Sequence, residues 1–486
     1  MEEHLKINEV LSNKQGELLK YASREWQYIF NSDQIHGDSH WLRFDTKSLK
    51  NKFIDYSKAY IIVNVNISNP SASWSNTGTY IIPRSVGTSG ICFQTNLKLN
   101  DAVFNNTEYI NIINYIQNVT ENSSEWDETF GVETSELLDK SKRYDPPVTN
   151  NTTYSQASEF NGTLDTTNKP LTDERWVRAT QFRTNSNKID KDNYTYSLKI
   201  PLKKLSNVFD KMQGAYSNVE MKIDTSILVS ALKRSELPFS VVGTNAQAQF
   251  DITIAGDSER PRLYVPVYTF GDKLQKLYSN MLSENPVKDI SFKNYKIEHF
   301  TAKNNSFVRR IINSGGVRNV SKVYIIASDG SQNANNSQYL SRLSNPNDIG
   351  YQWKCGFIDY NLRVNNSKVL YQDVVDDHVA YQLYKDSCKW SGESKKHSAP
   401  ISFIDWKNLH RIYVFDLTQT NISSLKSHID MIFEGRIMQS ATANIRENRS
   451  LQATTNNIDI DIYSIVEYTQ DCKLNLSTGN VNIDLQ

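Results

Sequence analysis

Short alternations of apolar and polar residues, separated by breaks rich in Asn, Ser and Gly, run along most of this chain. Ile61, Val63, Val65 and Ile67 alternate with other residues, as do Phe250, Ile252 and Ile254, then Leu263, Val265 and Val267, then Ile458, Ile460 and Ile462. Val219, Met221 and Ile223 alternate with Glu220, Lys222 and Asp224, and Ile429, Met431 and Phe433 repeat the pattern late in the chain. A period of two sets one side of a strand on a core and the other in water, so each set predicts a half-buried β-strand. Many such strands with turn signals between them predict sandwiches or barrels. Helical spacing is read at three places. Ile112, Ile113 and Ile116 carry it within 109–119, and Val375, Val379 and Leu383 stand four apart within 372–385. In 5–30, Leu5, Val10, Leu11, Leu18, Leu19 and Tyr21 mix with charged residues in a helix-like way, predicting an N-terminal helix.

Compared with itself, the chain repeats once. Lys58-Ala59-Tyr60-Ile61-Ile62 returns 264 positions later as Lys322-Val323-Tyr324-Ile325-Ile326. Asn96-Leu97-Lys98-Leu99-Asn100 returns 265 positions later as Asn361-Leu362-Arg363-Val364-Asn365. Two matches at nearly one offset, each followed by a helix-like stretch, point to an internal duplication. Each half then has a Pro-containing apolar segment, Ile200-Pro201-Leu202 leading to Leu205 and Pro400-Ile401 leading to Phe403 and Ile404. From Asn96 to Val219 is 123 positions and from Asn361 to Ile429 only 68, so the first half carries about 55 extra residues. They fall at about 120–176, the most polar and least periodic stretch, which is expected to form exposed loops because buried loops strand backbone polar groups. The domains expected are a helical segment at 1–34, a first sandwich at 35–257 with this insertion, and a second at 258–486, joined near Gly256-Asp257-Ser258-Glu259.

Length supports the division, since one core stops growing near ~250–300 residues and the chain has 486. The 38% hydrophobic content and mean hydropathy of −0.56 suit sandwiches whose strands are wet on one face, and the 26 Tyr suit strands. Lys plus Arg equals Asp plus Glu at 54 each, so there is no global field for nucleic acid, and no specific nucleic-acid binding is expected. No run approaches the ~20 apolar residues of a membrane span, and MEEHLKINEVL lacks the pattern of a signal peptide. Whether the protein meets a membrane is left open. Cys92, Cys355, Cys388 and Cys472 are widely spaced without a C-x-x-C, so they are expected as free thiols. The N-x-[ST] triplets, at Asn66, Asn118 and Asn193 among others, are read as unmodified.

Candidate chemistry is sparse. His36-Gly37-Asp38-Ser39-His40 has metal-ligating residue types, but Gly37 marks a turn and no third ligand clusters with them. Asp376-Asp377-His378 has the makings of an acid/base pair, yet lies beside Val375 and Val379 where charge usually forms a solvated face. Gly315-Gly316 lacks the spacing and Lys of a phosphate loop, and Lys395-Lys396-His397 is a small basic patch. No hydrolase or metalloprotease motif occurs. Catalytic, cofactor and metal residues are therefore expected to be none.

Two tandem sandwiches, each interrupted by a helix after an Asn-bounded strand, resemble the double jelly-roll major capsid proteins of polinton-like viruses, adintoviruses and virophages. The likeness runs from about Ser39 to Asp471 and rests on 96–119, 196–209, 262–268 opening the second half, 323–326, and RIYVFDLT at 411–418. It implies an all-β double jelly roll with short helices and a structural, non-enzymatic role without cofactors. It further implies a homotrimer forming a pseudo-hexameric capsomer, capsomers tiling an icosahedral virion shell, and a penton or minor capsid protein as partner. Two rivals come from other classes. A tandem carbohydrate-binding or adhesin protein would stack sugars on residues such as Trp74, Trp126 and Trp176, and a β-sandwich glycosidase would need two converging carboxylates.

Overall fold

The structure, a computed structural model, describes residues 21–32, 40–49, 52–68, 80–83, 92–99, 102–121, 194–212, 219–227, 239–242, 251–254, 260–303, 306–312, 317–329, 355–388, 401, 403–408, 410–418, 429–439, 459–478 and 481–483. The strands in the first part of the chain are β1 (Tyr21–Phe30), β2 (His40–Asp45), β3 (Phe53–Ile54), β4 (Tyr60–Ser68), β5 (Tyr80–Pro83), β6 (Cys92–Leu99) and β7 (Ala102–Glu108). They continue as β8 (Tyr194–Pro201), β9 (Met221–Ile227), β10 (Phe239–Val242), β11 (Asp251–Ile254) and β12 (Arg262–Phe270). The later strands are β13 (Val287–Lys303), β14 (Phe307–Ile312), β15 (Val320–Asp329), β16 (Cys355–Val364), β17 (Ser367–Lys368), β18 (Ile412–Asp416), β19 (Met431–Gln439), β20 (Asp459–Asn475) and β21 (Val481–Ile483).

The duplication reappears as strand order. One sheet runs β1-β12-β4-β8, and its counterpart runs β13-β20-β15-β18. The facing sheets run β2-β9-β6-β7 and β14-β19-β16-β17. Both sandwiches therefore share one jelly-roll order in which the first and last strands pair. Tyr60 opens β4 as Tyr324 sits in β15, and the Asn-bounded repeat forms the matching strands β6 and β16. The repeated Asn has a local cause. Val364 pairs with Ser367, leaving Asn365 and Asn366 as a two-residue turn at φ 47° and 65°, a left-handed conformation Asn tolerates and hairpin turns require.

Inner faces make two cores. Leu42, Phe44, Leu97 and Ile223 meet Ile61, Val63, Leu198 and Val265 in the first, and Phe357, Leu362 and Phe433 meet Val323, Ile325 and Phe415 in the second. The cores are tied together by one ladder. β13 and β20 pair continuously from Val287 with Asn475 to Lys303 with Asp459. At about 3.3 Å per residue, 17 residues span about 55 Å. One end of the ladder, with Ile290, Phe292, Cys472 and Leu474, completes the first core, while Ile462, Ile465 and Val466 lie in the second.

Three expectations are corrected. Residues 21–30 form strand β1 and not the end of a helix, because Trp26, Tyr28 and Phe30 alternate at a period of two and their backbone pairs with β12; residues 1–20 lie outside the described residues. The junction near Gly256 falls too early, since β12 closes the first sheet by pairing with β1 and β4, so 262–268 belongs to the first sandwich. The chain changes sandwich only after Phe270, through an α-helix at Asp272–Glu284. The third concerns the helix expected at 372–385, which forms at Asp377–Ser387 but buries Ala380, Tyr384 and Ser387, leaving Val375 and Val379 exposed. The insertion at 120–176 lies outside the described residues from 122 onward.

Candidate functional site

Among the described residues the α-helices in chain order are α1 (Ile110–Thr120), α2 (Leu202–Leu205), α3 (Val208–Lys211), α4 (Asp272–Glu284), α5 (Asp377–Ser387) and α6 (Phe403–Asn408). All eleven residues of α1 are buried, which an amphipathic surface helix would not show. The helix belongs by sequence to the first sandwich, yet Ile112, Ile113, Tyr115, Ile116 and Val119 lie in the second core, and only Ile110 lies in the first. Each such side chain contributes about 1.5–3 kcal/mol by leaving water. Tyr109 turns the chain from β7 into α1 with φ 54° and ψ 44°, a left-handed state costing a bulky residue about 1–3 kcal/mol. Its ring lies edge-on to Phe93 at 4.8 Å and 6.4 Å from Tyr463 on β20, so packing holds it.

The side of α1 facing its own sandwich is held by amides. Asn114 Nδ2 donates to the Lys204 carbonyl at 2.9 Å, Gln117 Nε2 to Asn207 Oδ1 at 2.8 Å, and Lys204 Nζ to Asn118 Oδ1 at 3.2 Å. Asn118 is thus buried in the packing, consistent with its reading as unmodified. Toward the second sandwich, the Tyr115 hydroxyl and His410 Nδ1 are 2.9 Å apart, and the Tyr384 hydroxyl of α5 donates to the Val119 carbonyl.

At the end of α1 lies a buried ionic cluster. Glu467 of β20, only 1% exposed, accepts from the Tyr324 hydroxyl at 2.8 Å and from Ser321 Oγ at 2.8 Å. Lys293 Nζ of β13 is 3.4 Å from its carboxylate and also pairs with Glu121, the residue that follows α1. Burial alone would raise the Glu467 pKa, but Lys293, the hydroxyls of Ser321 and Tyr324, and Lys322 together hold it below the ordinary carboxylate range. Tyr324 is pushed well above its usual pKa by burial and by the Glu467 charge, so it remains a hydrogen-bond donor. The cleft beside this cluster, lined by Gln117, Lys204, Asn207 and Lys293 among others, has room for about one water molecule, far below the hundreds of Å³ a small-molecule site needs. A charge-satisfied cluster beside so small a cleft serves to join the elements that supply it.

Sequence-selected residues have structural partners. Asp376 caps α5 by accepting from the His378 backbone N–H at 2.6 Å, and Asp377 pairs with Arg411 at 3.2 Å and Lys407 at 3.3 Å. His378 stacks on Phe403 at 4.3 Å. His40 begins β2, while 36–39, 315–316, 395–397, Trp74, Trp126 and Trp176 lie outside the described residues. Among the described residues no three His, Cys, Asp or Glu side chains converge as metal ligands, and no helix is long and apolar enough to cross a membrane. Sequence reasoning missed Glu467, whose partners stand more than 140 positions away in the chain.

Cys92, Cys388 and Cys472 are buried and not in disulfides, and burial pushes the Cys92 and Cys388 thiols up to about 12, so these two carry almost no reactive thiolate at neutral pH. These three are expected to label slowly with a thiol reagent in the native protein. In denaturant without reductant, all four cysteines should titrate. Recovery of fewer thiols there would show a disulfide and contradict the reading.

No family model and no curated protein matches the sequence. Solved structures do match. A chain in the 3.5 Å cryo-EM structure of the Sputnik virophage aligns over 98% of this chain and 91% of its own, with a TM-score of 0.55 at 11% identity. The mavirus major capsid protein aligns over 97% of this chain and 92% of its own, with a TM-score of 0.56 at 10% identity. At such low identity the likeness is one of fold, and it covers both sandwiches together.

Proposed function

We propose, from the double jelly-roll fold this chain shares with the mavirus major capsid protein, that it is itself the major capsid protein of a virus. The observation that carries the reading is the extent of the match. Both sandwiches, in tandem and joined, align over more than nine tenths of either chain, whereas a borrowed single jelly roll would align over half. The seam supports it, because fusing two sandwiches through a buried helix and a shared ladder makes one rigid block with two similar corners. Three such chains give six corners, the unit that tiles an icosahedral shell, with identical chains closing by cyclic symmetry. The role is structural and not enzymatic, the place of the protein is the virion, and its partners are its own copies with a penton or minor capsid protein at the vertices. Zero net charge favours dense packing of many copies. Negative-stain electron microscopy with light scattering of the purified full chain tests this. Six-cornered trimers that assemble further are expected, and a monodisperse monomer at tens of micromolar, unchanged by salt and pH, would overturn it.

A further inference from the structure

The two sandwiches are built alike but covered unlike. Strand pairing sets Tyr60 beside Tyr264 and Tyr264 beside Tyr28, as it sets Tyr324 beside Ile465 and Ile465 beside Ile297. Trp26, one step further along β1, then corresponds to Tyr295 on β13. These positions lie on the outer faces of their sheets. In the second sandwich Tyr295, Tyr324 and Ile465 are buried in one core with side chains of α1, the helix contributed by the first. In the first sandwich Tyr60 and Tyr264 are only half-buried and Trp26, the counterpart of Tyr295, is 44% exposed; Tyr28 and Phe30, 51% and 47% exposed, continue the stripe along β1 where β13 has half-buried Ile297 and exposed His299. Solvent-facing sides of antiparallel sheets are ordinarily polar, so an aromatic stripe there marks an interaction surface.

The helices differ in the opposite sense. α1 and α5 follow matching strands and are eleven residues each, so Ile112 corresponds to Val379 and Ile116 to Leu383. Ile112 and Ile116 are buried against the second sandwich, while Val379 is 51% exposed and Val375 before it 66%; Leu383 is half-buried against the core of its own sandwich. Among the described residues, the Trp26–Phe30 part of this outer sheet face thus has no helix on it, α4 packing only on the Tyr268–Phe270 end, and α5 has no sheet against Val375 and Val379. Charge agrees with shape. Arg24 and Arg262 lie over the Trp26 and Tyr28 rings and Lys199 over Tyr60, whereas the exposed side of α5 carries Asp376 and Asp386.

We infer that the β1 face, Trp26, Tyr28 and Phe30 with Arg24 and Arg262, receives the outer face of α5, Val375 and Val379, from a second copy of this chain. The contact made within the chain from first sandwich to second is then repeated between chains from second sandwich to first. Such a contact joins different faces of the two copies, so it ends only when a ring closes. The closure at three chains, and only that, rests on the capsid reading above.

The test uses the full chain in sedimentation velocity. One double variant, Trp26→Glu with Tyr28→Glu, breaks the sheet face, and another, Val375→Glu with Val379→Glu, breaks the helix face. All four residues are exposed, so circular dichroism should stay unchanged. If either variant loses its fold, the milder Trp26→Ser and Val379→Ser are read in the same way. The wild type is expected as a trimer and each double variant as a monomer, with association weakened at least about 100-fold. An equimolar mixture of the two should form a one-to-one dimer and no trimer, because only one intact contact remains between them. A trimeric wild type whose variants also stay trimeric, or variants that remain monomers when mixed, would overturn the interface and leave the capsid reading standing. A wild type that is monomeric throughout would overturn both.

Discussion

Replacing Glu467 by alanine is expected to destabilise the chain by about 3 kcal/mol, the lower end for breaking a buried ion pair. The lower end applies because Lys293, which loses one carboxylate, keeps Glu121, and Ser321 keeps the backbone carbonyl at position 467, whereas Tyr324 loses its acceptor. Glutamine retains an acceptor oxygen and should cost about half as much. The pH dependence gives a second, sharper readout. The folded-state pKa of Glu467 lies below its ordinary value of 4.5, so its stabilisation is fully present above pH 4.5 and is lost as pH falls through the folded value. Denaturant unfolding at a series of pH values should therefore show the gap between wild type and Glu467→Gln narrowing on acidification below that point. A gap independent of pH would mean that the carboxylate charge contributes nothing to the seam.

Replacing Tyr115 by alanine should cost about 3–5 kcal/mol, the range for truncating a large buried aromatic side chain. Tyr115 is 1% exposed, lies in the second core from a helix of the first sandwich, and contacts His410 through its hydroxyl. Tyr115→Phe keeps the ring and removes the hydroxyl that meets His410, and should cost about 0.5–1.5 kcal/mol. Calorimetry of the wild type is expected to show one transition, because α1 and the β13–β20 ladder place parts of each half in the core of the other. Two well-separated transitions would mean that the sandwiches unfold independently and that the seam is weaker than its burial implies.

Much of the architecture is visible in the sequence because alternation is a local property. Val63 and Val65 declare a strand whatever lies around them, and α1 falls within a residue of the stretch marked by Ile112, Ile113 and Ile116. The duplication is legible for a related reason: Tyr60 and Tyr324 occupy the same place in matching sheets, so the same backbone demands recur. What periodicity does not report is which side of an element is covered, or by what. Asn114, Gln117 and Asn118 look like a wet face and are buried amide partners of the 204–207 turn. Val375 and Val379 look like a core face and are exposed, because Ala380 and Tyr384 face the sandwich instead. The same limit hid β1, where helix-like spacing in the residues before it masked the alternation of Trp26, Tyr28 and Phe30.

The pairing of first strand with last in both sandwiches also sets an order in time during synthesis. β1 has no complete sheet until β12 ends at Phe270, and β13 waits for β20, which ends at Asn475. At roughly 5–20 residues per second, the 172 residues between the end of β13 at Lys303 and the end of β20 at Asn475 take about 9–34 s to make. Throughout that interval β13 presents an unpaired edge of 17 residues, and many nascent chains do so at once. Strand pairing between such chains competes with correct closure. A cell making this protein in quantity therefore benefits from chaperones that shield the ladder's first strand until its partner emerges.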